Sequence, residues 1–152
     1  MIIITIADVE YLAFRLAKEH LSFNEPIPDF STRFPNVLES CVVTPFQRFS
    51  GKALYPTLVG KASILFYLMI KNHPFQNGKK RIAITAMLTF LYSNGKWLKT
   101  DTQEFYNFTV WVAQSPSQFK EQVVSAIQMF IRDHLTDANL SDQQGQTTGS
   151  GA

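Results

Sequence analysis

The stretch Leu58-Val59-Gly60-Lys61-Ala62-Ser63-Ile64-Leu65-Phe66-Tyr67-Leu68-Met69-Ile70-Lys71-Asn72 decides the fold. Pro56 precedes it as a helix-start signal. Pro74 closes it, because a residue before proline is pushed out of right-handed helical geometry. Between the two prolines, apolar residues run round the whole circumference instead of forming one stripe. Such a helix is predicted to be central and buried. Its most apolar part, Ala62 to Ile70, is bracketed by Lys61 and Lys71 and is far too short to span a bilayer.

Working outward, a second apolar segment reads as a helix from about Arg81 to Ser93, closed by Asn94-Gly95. Towards the N-terminus, Thr5 reads as a cap with Asp8 in the first turn, giving a helix over about 6–21. Residues 23–34, with Pro26 and Pro28, read as a loop. Pro35 opens a short helix through about Val43, and Pro45 ends it. Weak alternation around Ser50-Gly51 predicts a small hairpin or flap within residues 44–55. Towards the C-terminus, Thr100-Asp101-Thr102-Gln103 and Ser115-Pro116-Ser117-Gln118 read as capping boxes. They predict helices to about Ala113 and His134. Residues 137–152 hold no aromatic side chain and are rich in Gly, Ser, Thr and Gln. They read as a disordered tail, leaving residues 1–136 as one domain. The expectation is an all-α bundle around one central helix.

Composition narrows the function classes. Hydrophobic residues make up 45% of the 152 and charged residues 17%, the balance of a globular chain with a real core. The lone Cys41 excludes an internal disulfide framework and fits a reducing compartment. Met1-Ile2-Ile3-Ile4 lacks the basic flank of a signal peptide, so a soluble, cytoplasmic protein is expected, without membrane partners. A net charge of +2 argues against nucleic acid as a partner.

The nine residues between the two apolar segments carry the chemistry: His73-Pro74-Phe75-Gln76-Asn77-Gly78-Lys79-Lys80-Arg81. Three consecutive cations crowd the start of a helix, whose N-terminus is itself partially positive. An anion is the simplest compensation, since helix-start N–H groups, a glycine and nearby cations together make a phosphate site. A histidine close by could act as a base.

This segment resembles the motif of the Fic/Doc superfamily, and its Doc (death-on-curing) branch most closely. The Doc pattern is His-x-Phe-x-(Asp/Asn)-(Gly/Ala)-Asn-Lys-(Arg/Lys). Leu54-Tyr55-Pro56, Lys71-Asn72 and Asn94-Gly95 on the flanks are similar too. The resemblance covers about residues 5–135. It implies a Fic/Doc-like helical fold and ATP-dependent modification of a protein hydroxyl, with Mg²⁺. Fic enzymes mostly transfer AMP, whereas Doc transfers the terminal phosphate of ATP to elongation factor Tu and stops translation. Lys80, standing where Fic proteins have glycine, points to the phosphoryl-transferring side. A Phd-like antitoxin is the implied partner, and Thr44–Tyr55 occupies the place of the flap that grips the target.

The resemblance gives His73 the role of general base, with Gly78, Lys79, Lys80 and Arg81 around the nucleotide phosphates. Phe75 reads as a structural anchor that pins the loop. Asn77 stands where most relatives place a metal-binding carboxylate, and its amide oxygen is a weaker Mg²⁺ ligand. Lys79 replaces an asparagine with a longer, donor-only cation. These two departures leave a catalytically impaired nucleotide- or partner-binding protein as an alternative, beside AMP transfer.

Overall fold

The structure is a computed structural model that describes residues 1–20, 27–76 and 79–138, without the side chains of His20 and Lys79. The first helix, α1, runs through Ile6–Asp8, a π-helical turn at Val9–Ala13, and Phe14–His20. Thr5 starts it with a complete capping box. Its hydroxyl accepts from the Asp8 N–H at 3.1 Å, and Asp8 accepts from the Thr5 N–H at 2.9 Å.

Pro35 stands at the first position of α2 (Pro35–Val43), which runs into a 3₁₀ turn at Thr44–Phe46. The predicted hairpin follows. Strands β1 (Arg48–Phe49) and β2 (Lys52–Ala53) pair antiparallel, Arg48 opposite Ala53 and Phe49 opposite Lys52. Ser50 and Gly51 make the turn with φ of 51° and 77°, the double positive φ of a two-residue hairpin loop.

The central helix is α3 (Leu58–Lys71), capped by the Thr57 hydroxyl. Every residue from Gly60 to Ile70 is buried, as the circumferential apolar pattern requires. Helix α4 (Lys79–Ser93) returns antiparallel beside it and is buried from Arg81 to Leu91. Gly95, at φ 79°, ends α4 as predicted. Then come β3 (Lys96–Leu98), α5 (Thr102–Gln114), a 3₁₀ turn at Ser117–Phe119, α6 (Lys120–His134) and β4 (Leu135–Asp137). Strand β4 pairs antiparallel with β3. The fold is all-α, a helical bundle around one buried helix. No helix among the described residues is long and apolar enough to cross a membrane.

Several sequence expectations need correction. Helix α4 starts at Lys79, earlier than the predicted Arg81, which puts all three cations in its first turn. Asp101, not Thr100, caps α5, accepting from the Glu104 N–H at 3.0 Å. Ser115 closes α5 instead of opening α6, because its N–H and hydroxyl both donate to the Val112 carbonyl. Helix α6 starts at Lys120 without a side-chain cap. The β3–β4 pair was not predicted. It takes Asp137 out of the expected tail and sets it 2.5 Å from the Lys96 ammonium. Residues 139–152, where the rest of that tail was expected, lie outside the described residues.

The helices alternate between two poles. At one pole lie Ala17 of α1, the C-termini of α3 and α5 and the N-termini of α2, α4 and α6. His73 sits there. The hairpin sits at the other. The Lys61 ammonium, in the first turn of α3, donates to the carbonyls of Pro45 and Tyr55, and Phe46 meets Phe90 near the end of α4. Burial, and to a lesser degree Arg48, pull the Lys61 pKa below its usual value. Fourteen residues of α3 separate the poles by about 21 Å. The flap expected within residues 44–55 is present as this hairpin, its stem beside the first turn of α3.

Phe66 is fully buried in α3 and packs on Phe105 with ring centroids 6.0 Å apart. Phe66→Ala is expected to cost about 3–5 kcal/mol in chemical denaturation. Phe49→Ala, at a hairpin residue 72% exposed, should stay within about 0.5 kcal/mol of wild type.

Candidate active site

The loop between α3 and α4 is built from its ends inward. Asn72 caps α3, its N–H donating to the Leu68 carbonyl at 2.9 Å. His73 follows with φ of 51°, in the left-handed region. A non-glycine residue there stores about 1–3 kcal/mol of strain, which persists only where the surroundings hold it. The holding groups are the next two residues. The Pro74 carbonyl accepts from the Phe34 N–H at 2.8 Å, and Phe75 pairs with Arg33 in an isolated antiparallel bridge.

Phe75 is the anchor the sequence suggested. It is 1% exposed and lies 5.3 Å from Phe14 and 6.1 Å from Phe30, which meet edge-on at 5.5 Å. These three rings join α1, the segment before α2 and the His73 loop. Arg33 closes the cluster, its guanidinium 4.5 Å from the Phe30 ring centre and one nitrogen on the Phe30 carbonyl. His73 as a residue is exposed. A strained, accessible histidine on a clamped loop suits proton transfer to an incoming group.

Of the cationic residues, Lys80 is half-buried in the first turn of α4 and Arg81 is buried. Asn77, Gly78 and the Lys79 side chain lie outside the described residues. Arg81 donates from Nη2 to the Ala17 carbonyl at 2.6 Å. Ala17 lies in the Phe14–His20 segment of α1. An anion was the simplest compensation expected for the three cations; Arg81 has this carbonyl as a partner besides.

Three further residues were missed as parts of this site. Lys71, in the last turn of α3, sends its ammonium to the Ala113 carbonyl at 3.3 Å and the Ser115 carbonyl at 2.5 Å. Arg33 and its neighbour Phe34 fasten the loop from the other side. Lys71 stood in the sequence as part of the Lys71-Asn72 flank and as a cation in a last turn; Arg33 and Phe34 had only their place just ahead of a helix-opening proline. The other titratable candidates lie elsewhere. Cys41 is fully buried, and burial pushes its thiol up to about 12, so it stays protonated and inert. His134 is held at the end of α6 by the Phe130 carbonyl. Among the described residues, no three His, Cys, Asp or Glu side chains converge as a metal site.

Comparison with known proteins agrees with this geometry. The family model described as "Fic/DOC family" matches residues 3–91, which include the His73 loop and nearly all of α4. The chain belongs to the Fic/DOC family. It is 34% identical over 73 residues to the protein named "Toxin Doc" of Mycolicibacterium smegmatis (strain ATCC 700084 / mc(2)155). That match takes in 48% of this chain and 56% of the relative, so the chain spans a little over half the length of the curated relative it matches. No solved structure matches.

The strain at residue 73 separates fold from chemistry. His73→Ala and His73→Gly both remove the imidazole, but only glycine relaxes the positive φ. His73→Gly should therefore be more stable than His73→Ala by about 1 kcal/mol in thermal or chemical melts. Arg81→Ala removes a buried charged hydrogen bond and should destabilise by about 1.5–3 kcal/mol. An unchanged or raised Tm for Arg81→Ala would contradict the role given to Ala17.

Proposed function

We propose that this chain is a Doc-like toxin that moves the terminal phosphate of ATP to a hydroxyl of a translation factor, elongation factor Tu being the prime candidate. One observation carries the reading: an exposed His73, strained and clamped, lies across a short loop from Lys80 and Arg81 in the first turn of α4. A base beside a cationic helix start is what phosphoryl transfer to a hydroxyl asks of a protein.

In this reading the acceptor oxygen attacks the γ-phosphorus and His73 takes the hydroxyl proton. The bond from the γ-phosphorus to the bridging oxygen breaks, and ADP leaves. Lys80 faces charge building on the transferring oxygens, together with N–H groups at the start of α4. Arg81, committed through Nη2 to α1, mainly fixes the register of that helix start. The described residues build no metal cage, so Mg²⁺ would arrive on the nucleotide phosphates, with Asn77 as the motif's one amide ligand. Mg²⁺ bound there would neutralise phosphate charge. The acceptor is gripped at the His73 pole, where residues 27–34 border the loop. A Phd-like antitoxin neutralises the toxin, in keeping with the likeness to a protein named as a toxin.

The test is incubation with elongation factor Tu and ATP labelled at the γ- or the α-phosphate, with His73→Ala as control. Label from the γ-position on the factor supports phosphoryl transfer. Label from the α-position replaces it with AMP transfer. No label, with ATP still bound, leaves the impaired-enzyme reading that Asn77 and Lys79 favour.

Lys79 sets a further expectation. Like-charge crowding with Lys80 and Arg81, and competition with Mg²⁺ for phosphate oxygens, should hold the rate down. Lys79→Asn is expected to raise the single-turnover rate, and adding Asn77→Asp should lower the Mg²⁺ concentration required. A Lys79→Asn protein without activity would make Lys79 a working phosphate ligand.

A further inference from the structure

Resting on the reading of His73 as the general base, we infer that Lys71 is the positioning residue that fixes where that imidazole sits. Lys71 lies two residues ahead of His73, in the last turn of α3. Its ammonium spans to another helix and binds two carbonyls there, Ala113 at 3.3 Å and Ser115 at 2.5 Å. These are the closing groups of α5, a helix with no basic residue in its own last turn. Lysine from α3 supplies the cation that the negative end of α5 lacks. Ser115 is itself fixed, with its N–H and hydroxyl both on the Val112 carbonyl. The tether therefore ends on a rigid cap.

The geometry makes this more than a cap for α5. Downstream of His73, the loop is held by the Phe34–Pro74 hydrogen bond and the Phe75 ring cluster. Upstream, the last turn of α3 leads into His73; Leu68, Met69 and Ile70 pack it into the core, and the Lys71 ammonium adds its polar tie to the end of α5. A left-handed φ at residue 73 needs both sides fixed, or the strain relaxes by rotation of the loop. Releasing the upstream side frees the imidazole to move relative to Lys80 and Arg81 while leaving the nucleotide-facing helix start in place. A base displaced by about 1 Å can lose on the order of 10²-fold in rate.

The experiment compares full-length Lys71→Met, which keeps the stem and loses the ammonium, with Lys71→Arg, which keeps the charge. Leu98→Ala, a core change at the opposite pole, serves as a control for lost stability. Two readouts are taken: amide hydrogen exchange over residues 70–76, and transfer kinetics with ATP and acceptor varied separately. Lys71→Met should speed exchange in that segment and lower kcat by about 10²-fold with the KM for ATP unchanged. Lys71→Arg should recover most of the loss. Leu98→Ala should lower Tm without either effect. A Lys71→Met protein with wild-type kcat, or one whose kcat falls no more than that of Leu98→Ala, overturns the inference. If wild type transfers nothing, the reading of His73 fails on its own, and the exchange arm still decides whether Lys71 holds the loop. Unchanged exchange there overturns the tether as well.

Discussion

Burying one helix on every side is the constraint from which the rest of this structure follows. From Gly60 to Ile70, α3 has no face left for water. The surrounding helices must cover it completely, and only its two ends remain available for polar contacts. Both ends carry a lysine that binds a pair of backbone carbonyls: Lys61 those of Pro45 and Tyr55, Lys71 those of Ala113 and Ser115. The stems are long enough to cross the apolar layer while the ammonium reaches oxygen at its margin. A buried polar group costs free energy unless it is paired, and these two pairings let lysine stand in an otherwise apolar helix.

Alternating helix direction concentrates opposite partial charges at each pole. Around His73, the carbonyl ends of α3 and α5 lie beside the N–H ends of α2, α4 and α6. Cations there have two kinds of partner: carbonyls of the helices that finish, or anions drawn to the helices that start. Arg81, through Nη2, and Lys71 have carbonyl partners. Lys80 is half-buried in the first turn of α4.

Local chemistry was legible in the sequence, and long-range geometry was not. Pro35, Gly95 and the Ser50-Gly51 turn mark boundaries because each fixes its own backbone angles. The buried character of α3 was written in its composition, and Phe75 stood out as an apolar side chain in a polar loop. Thr100 and Asp101 are both good caps, each followed three residues on by Gln or Glu, so local chemistry does not separate them. Strands β3 and β4 hold three residues each, too few for alternation to register, and their pairing joins distant parts of the chain. The Arg81 hydrogen bond to the Ala17 carbonyl could not be read without knowing that α1 packs against α4. The hairpin was visible from its Ser50-Gly51 turn.

The corner after α4 has a topological consequence. The Asn94 side chain exchanges two hydrogen bonds with the backbone of Ile2, at 2.7 and 2.8 Å, and the neighbouring Gly95 carbonyl accepts from the Ala138 N–H at 2.9 Å. The first and last described segments are therefore fastened to adjacent residues of one turn. A unit whose entry and exit strands meet can be spliced into a surface loop of another protein without stretching either chain. Its termini could equally be joined by a short bridge and new ones opened elsewhere. The hairpin tip at Ser50-Gly51, exposed and at the pole away from His73, is a natural place for that cut.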